Sequence, residues 1–293
     1  MIFTGAGVAL VTPFQDGKVD FSSLSRLIDW QIESGIDAII SCGTTGEAST
    51  LTDKEHVEVV KYTIDKVRGR VPVIAGAGSN DTRHAVEMSK ALMEAGADGL
   101  LMVTPYYNKC TQKGLIEHYL TIADQITVPM IIYSVPGRTG VNISPFAVSK
   151  LCGHPNICGI KEASGDISQV AAIARHCGED FALYSGNDDS TIPLLSLGGK
   201  GVISTVANIV PKEMHDLAQK FLSGDIRGAA RLQLKLKPLI DAMFVEVNPI
   251  PIKAALALMG RIRQEYRLPL CDPTEGAMQA IEREVKAWGL IPC

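Results

Sequence analysis

Eight short apolar runs, rich in β-branched residues, recur along the chain: Val8–Val11, Ala38–Ser41, Val71–Ala75, Gly99–Val103, Met130–Tyr133, Cys158–Lys161, Ala182–Tyr184 and Gly201–Ser204. Each gives way to a polar or turn-forming stretch, and each is too short for a typical helix. Between them lie segments with helical spacing. Phe21 to Ser34 sets Leu24, Leu27, Ile28 and Ile32 on one face, and Asp53 to Val67 does the same with Val57, Val60 and Ile64. Continuous apolar strands need cover on both faces, so this alternation predicts a parallel sheet with helices outside. Eight such units within about 225 residues predict an α/β fold, a closed (β/α)8 TIM barrel. An open doubly wound sheet would carry G-x-G-x-x-G after its first strand. Val11-Thr12-Pro13-Phe14 stands there instead.

Strand signals stop after Ser223. Asp225–Val245, Pro251–Tyr266 and Thr274–Trp288 read as helices. The expected division is a catalytic barrel over residues 1–224 and an all-helical C-terminal extension over 225–293.

The chain's 293 residues, 46% of them hydrophobic, allow a sizeable core, and the net charge is -4 with no basic run. Nucleic acid and anionic membranes are therefore not expected partners. No apolar stretch reaches the roughly 18 residues of a membrane span. Met1 to Phe14 lacks a basic leader and carries Gly5, Gly7 and Pro13, so it reads as a first strand and its exit turn rather than an export signal. The seven cysteines, Cys293 included, are odd in number and show no C-x-x-C spacing. Neither a disulfide framework nor a zinc site is expected, and a reducing cytoplasm fits. The six histidines show no metal-binding pairing, so no metal is expected.

In such a barrel, functional groups sit where strands end. Those positions hold Gly43-Thr44-Thr45-Gly46-Glu47, Thr104-Pro105-Tyr106-Tyr107, Tyr133 with Ser134 to Gly140, Lys161, Ser185-Gly186-Asn187-Asp188, and Gly201 to Ser204. Lys161 closes an apolar run. Burial there would push its amine towards the neutral, nucleophilic form, whose electrophile is a ketone or aldehyde. Hydroxyls can move protons as a carbinolamine loses water. Backbone amides beside Thr44 and Thr45 can bind one carboxylate, and Arg138 another. Asn187-Asp188-Asp189 lacks the full spacing of a cation loop and reads as a solvated turn. Gly198-Gly199-Lys200-Gly201 is a weak glycine-rich turn, the sole basis for a phosphate-handling reading.

Taken in order, Gly43 to Glu47, Pro105 to Asn108, Tyr133 to Gly140, Gly159 to Ser164 and Asn248 to Lys253 resemble the dihydrodipicolinate synthases, of the pyruvate-dependent class I aldolase family. The resemblance spans essentially the whole chain. It implies a Schiff base between Lys161 and pyruvate, condensation with L-aspartate 4-semialdehyde, and the first committed step of diaminopimelate and L-lysine biosynthesis. It makes Tyr133 the proton donor and acceptor, with Thr45 and Tyr107 as relay partners. Thr44, Arg138, Gly186 and Ile203 become substrate-binding or pocket-lining residues. No cofactor is implied. Tyr107 would reach the site of a neighbouring subunit, so at least a dimer is implied, and a tetramer of two dimers is expected.

Ser134 stands where many members carry Asn. Relatives inhibited by L-lysine bind it near the positions of Ser49, His56, Asn80, His84 and Tyr106. They usually carry Glu where His84 stands and His where Asp53 stands, so weak or absent lysine inhibition is expected. Other aldolases of the family, such as N-acetylneuraminate lyase, share the lysine and the tyrosine. Thr44, Arg138 and the Asn248–Lys253 stretch favour the synthase. Intact Lys161, Tyr133, Thr45 and Tyr107 weigh against a non-catalytic binding protein on the same barrel.

Overall fold

The computed structural model describes residues 1–292. Cys293 lies outside the described residues. Eight parallel strands close into a barrel: β1 Gly5–Ala9, β2 Ala38–Ser41, β3 Val73–Gly76, β4 Gly99–Val103, β5 Met130–Ser134, β6 Ile157–Glu162, β7 Ala182–Ser185 and β8 Gly201–Ser204. Every strand pairs with its neighbours in sequence, and β8 closes on β1. The helices are α1 Phe21–Glu33, α2 Asp53–Val67, α3 Thr82–Glu94, α4 Gln112–Ala123, α5 Pro136–Thr139, α6 Pro145–Leu151, α7 Ile167–Cys177, α8 Thr191–Leu195 and α9 Pro211–Leu222. Three more follow, α10 Ile226–Met243, α11 Ile250–Leu258 and α12 Glu275–Ala287.

Strand alternation divides the core into two layers. Ala38, Ile40, Ile74, Leu101, Ile131, Tyr133, Tyr184 and Ile203 fill the barrel. The residues between them, among them Ile39, Leu100, Met102, Ile132 and Ile160, face outwards into a second cluster shared with the helices. Both faces are thus dry, which is why the strands read as unbroken apolar runs. Helix α1 presents Leu24, Leu27 and Ile28, all buried. Each such side chain contributes about 1.5–3 kcal/mol on leaving water. Helix starts are fixed locally. Asp20 caps α1, and Thr52 with Glu55 forms a capping box on α2. Leu236, Leu239, Ile252, Ile281 and Val285 of the last three helices belong to the same outer cluster, so apolar packing runs unbroken from barrel to C-terminal helices.

Most element edges lie within two residues of the sequence expectation, and the larger departures have local causes. The first strand begins at Gly5 and ends at Ala9 rather than spanning Val8–Val11. The Val11 amide turns instead to Asn208 Oδ1 at 3.1 Å, and the following Pro13 has no N–H to give. The helix expected over Pro251–Tyr266 stops at Leu258, because Gly260 takes a left-handed φ of 68°. A small hairpin, Phe14–Gln15 with Lys18–Val19, went unforeseen. No helix among the described residues is long and apolar enough to cross a membrane.

Candidate active site

Lys161 stands one residue before the end of β6, directly opposite Tyr133 on β5, because the ladder pairs the two in register. Its ammonium lies 4.3 Å from the centre of the Tyr133 ring. Lys161 is 6% exposed, as is Tyr133. Burial lowers the Lys161 pKa to about 7, with the Asp188 carboxylate opposing the fall and Arg138 adding to it. Burial also raises Tyr133 to about 12, so its hydroxyl stays protonated near neutrality. An amine about half neutral near pH 7 and a protonated phenol thus share a buried barrel end.

A cavity of about 70 Å³ opens here, walled by Lys161, Tyr133, Thr44, Thr45, Arg138 and Asn248. The Gly43–Glu47 turn supplies donors. Amides of Gly46, Glu47 and Ala48 are bonded inside the turn, whereas those of Thr44 and Thr45 donate to no acceptor among the described residues. Two free amides and a hydroxyl beside a lysine are donors of the kind that can accept a carboxylate. Asn248 Nδ2 donates to Thr45 Oγ1 at 2.9 Å, and the Asn248 carbonyl accepts from Arg138 Nη2 at 2.9 Å. Arg138 makes no carboxylate pair among the described residues, so its charge stays available at the cavity rim.

Gly186 lies against the lysine stem. A Cβ there would stand 3.1 Å from Lys161 Cε and 2.7 Å from Ala163 Cβ. Gly186→Ala should therefore displace Lys161 and cut kcat/KM by roughly tenfold to a hundredfold with the fold retained, read by steady-state kinetics beside a melting curve. Ile203 is buried in the barrel interior and is not among the residues lining this cavity. Tyr107 is not brought to the site by this chain: it is 89% exposed and takes a positive φ of 72°.

Four of the residues expected at an effector site line a second, larger cleft of about 440 Å³: Ser49, His56, His84 and Tyr106. Asn80 lies beside it, donating to the Tyr106 carbonyl at 3.1 Å. His84 Nε2 meets Asp53 at 3.1 Å, so a carboxylate stands one helix away from where inhibited relatives carry theirs. Burial lowers the His56 pKa, and its Nε2 bonds the Gly76 carbonyl at 2.8 Å. Thr44, Tyr133 and Arg138 line both cavities.

One expectation is corrected. Asp188 is not part of a solvated turn: it is 2% exposed, and its Oδ2 accepts from the Thr205 and Val206 amides at 3.1 and 3.2 Å. Its charge bears on Lys161 from inside the protein. Asn248 and the buried pair Glu47–Lys253 were likewise not assigned individual roles from sequence. Only their membership of matching motifs marked them.

The family model described as the dihydrodipicolinate synthetase family matches residues 2–288. The chain belongs to that family. A 4-hydroxy-tetrahydrodipicolinate synthase of Acetivibrio thermocellus is 56% identical over 99% of each chain. The dihydrodipicolinate synthase of Acinetobacter baumannii, solved in complex with pyruvate, superposes with a TM-score of 0.97 at 44% identity, covering 99% of this chain and all of that one. The Cyanidioschyzon merolae enzyme, solved with lysine bound, gives 0.96 at 43% identity over 99% of each chain. The protein is a lyase of the class I aldolase type.

The lysine pKa sets a pH profile. Trapping of a pyruvate adduct by borohydride should rise about tenfold per pH unit below 7 and flatten above about 8, because only the neutral amine attacks. A rate still climbing about tenfold per unit above pH 8 would contradict a depressed Lys161.

Proposed function

We propose that this site makes 4-hydroxy-tetrahydrodipicolinate from pyruvate and L-aspartate 4-semialdehyde, through an imine on Lys161. The observation that carries the reading is the buried Lys161 amine facing the Tyr133 ring at 4.3 Å. The Lys161 nitrogen attacks the pyruvate ketone, and the carbinolamine loses water as Tyr133 passes a proton to the departing oxygen. The Thr44 and Thr45 amides hold the pyruvate carboxylate. Loss of a methyl proton gives the enamine, whose carbon attacks the aldehyde of the semialdehyde held by Arg138. The amino group of that substrate then adds to the imine carbon and displaces Lys161 as the ring closes. The net reaction releases one water.

Relay of the proton to solvent passes from Tyr133 through Thr45 to a tyrosine. The outward, unengaged Tyr107 supports its delivery to a second copy of the chain. A homodimer is thus the minimal unit of this proposal and a tetramer its expected form. A cytoplasmic setting belongs to the same proposal, supported by seven cysteines without paired spacing. The first experiment is turnover of both substrates coupled to an NADPH-dependent reductase acting on the product. NADPH loss that requires both substrates supports the synthase. A trapped pyruvate adduct without turnover would send the aldehyde assignment to sugar acids instead.

L-lysine should inhibit weakly or not at all. Position 84 offers an imidazole where inhibited relatives offer a carboxylate, and the nearby Asp53 is already engaged by His84. Half-maximal inhibition at micromolar L-lysine, in the coupled assay, would defeat this.

A further inference from the structure

The turn that cradles the carboxylate is held in an uncommon backbone. Cys42 and Glu47 bracket it with left-handed φ angles of 53° and 54°, although neither is glycine. Such conformations persist only where the surroundings over-determine them. Here one distant segment does so. Asn248 ties Thr45 at 2.9 Å, and Lys253 Nζ donates to Glu47 Oε1 at 2.5 Å. Both side chains of the ion pair are wholly buried. The Lys253 ammonium also sits 4.3 Å from the Phe14 ring centre and 5.2 Å from that of Tyr266, while the Arg267 amide donates to Glu47 Oε2 at 3.3 Å. Neither Glu47 nor Lys253 lines the catalytic cavity.

A buried ion pair is a poor source of stability, since an apolar pair of like volume often serves as well. What it supplies is one geometry with little slack. We propose that Lys253 and Glu47 are positioning residues: their pair clamps the start of α11 onto the Gly43–Glu47 turn, so that the Thr44 and Thr45 amides converge on the pyruvate carboxylate. This rests on the imine reading above. The C-terminal helices thereby complete the substrate cradle of the barrel.

Two variants test it. Glu47→Gln/Lys253→Met removes both charges and nearly conserves volume, avoiding the stranded charge of either single change. Glu47→Asp keeps both charges and shortens the tether by one methylene. The readouts are the melting curve, and the yield of borohydride-trapped pyruvate on Lys161 against pyruvate concentration. In both variants the half-saturating pyruvate concentration should rise roughly ten- to a hundredfold, as expected for a cradle displaced by about an ångström. At saturating pyruvate the trapped yield should still reach one adduct per chain, since Lys161 is untouched. Wild-type half-saturation in folded Glu47→Asp and in the double variant would overturn the clamp. So would failure of both to fold, which would assign the pair to folding alone. Absence of any adduct in the wild-type protein would instead overturn the imine reading beneath it.

Discussion

Lys161→Ala is expected to be catalytically dead, with turnover reduced on the order of 10⁴-fold or more and no pyruvate adduct trapped by borohydride. The change removes the amine that the proposed reaction uses as its nucleophile. Structural damage should be slight. Among the described residues the lysine makes no ion pair, and its amine is already destabilised in its charged form by burial. Losing it deletes a desolvation cost while opening a space beside an existing cavity. The check is mass spectrometry of the trapped protein beside a melting curve. Wild-type-like turnover in a folded Lys161→Ala protein would end the imine assignment.

Tyr133→Phe is expected to fold and to keep the ring against the Lys161 ammonium, since that contact uses the ring face. What it loses is the hydroxyl proton. Turnover should fall by about 10²–10⁴-fold, the usual worth of a general acid–base group. Pyruvate should still reach Lys161, more slowly. The two variants therefore separate by trapping: none for Lys161→Ala, slow but complete for Tyr133→Phe. Equal loss of trapping in both would place Tyr133 in binding rather than proton transfer.

The barrel was legible because its strands are dry on both faces and its helices on one. That contrast prints unbroken apolar runs and 3.6-residue stripes into the same chain. Edges were less legible where other groups compete for the backbone, as Asn208 does at Val11. Lys161 and Tyr133 could be found because a polar residue closing an apolar run at a strand end has few structural reasons to be there. Asp188 could not. Its neighbours in sequence are polar, and the amides that bond it, at Thr205 and Val206, lie beyond the end of the adjacent strand. The Lys253–Glu47 pair joins positions 206 residues apart, a distance over which no local pattern speaks. Tyr107 shows the opposite limit: its proposed role needs a second chain, which no single fold contains.

The in-register placement of Lys161 beside Tyr133 reaches beyond chemistry. Their separation is fixed by the spacing of paired strands, about 4.8 Å, and shares the fate of the sheet itself. Arg138, on the short helix α5, and the Thr44–Thr45 amides are held instead by a few side-chain bonds. Warming should therefore erode the two parts of the site unequally. The bond-forming pair of amine and phenol persists until the sheet melts, while the grip on both substrate carboxylates fades first. Heat would leave an enzyme whose reactive groups still face each other but which no longer aligns either reactant between them.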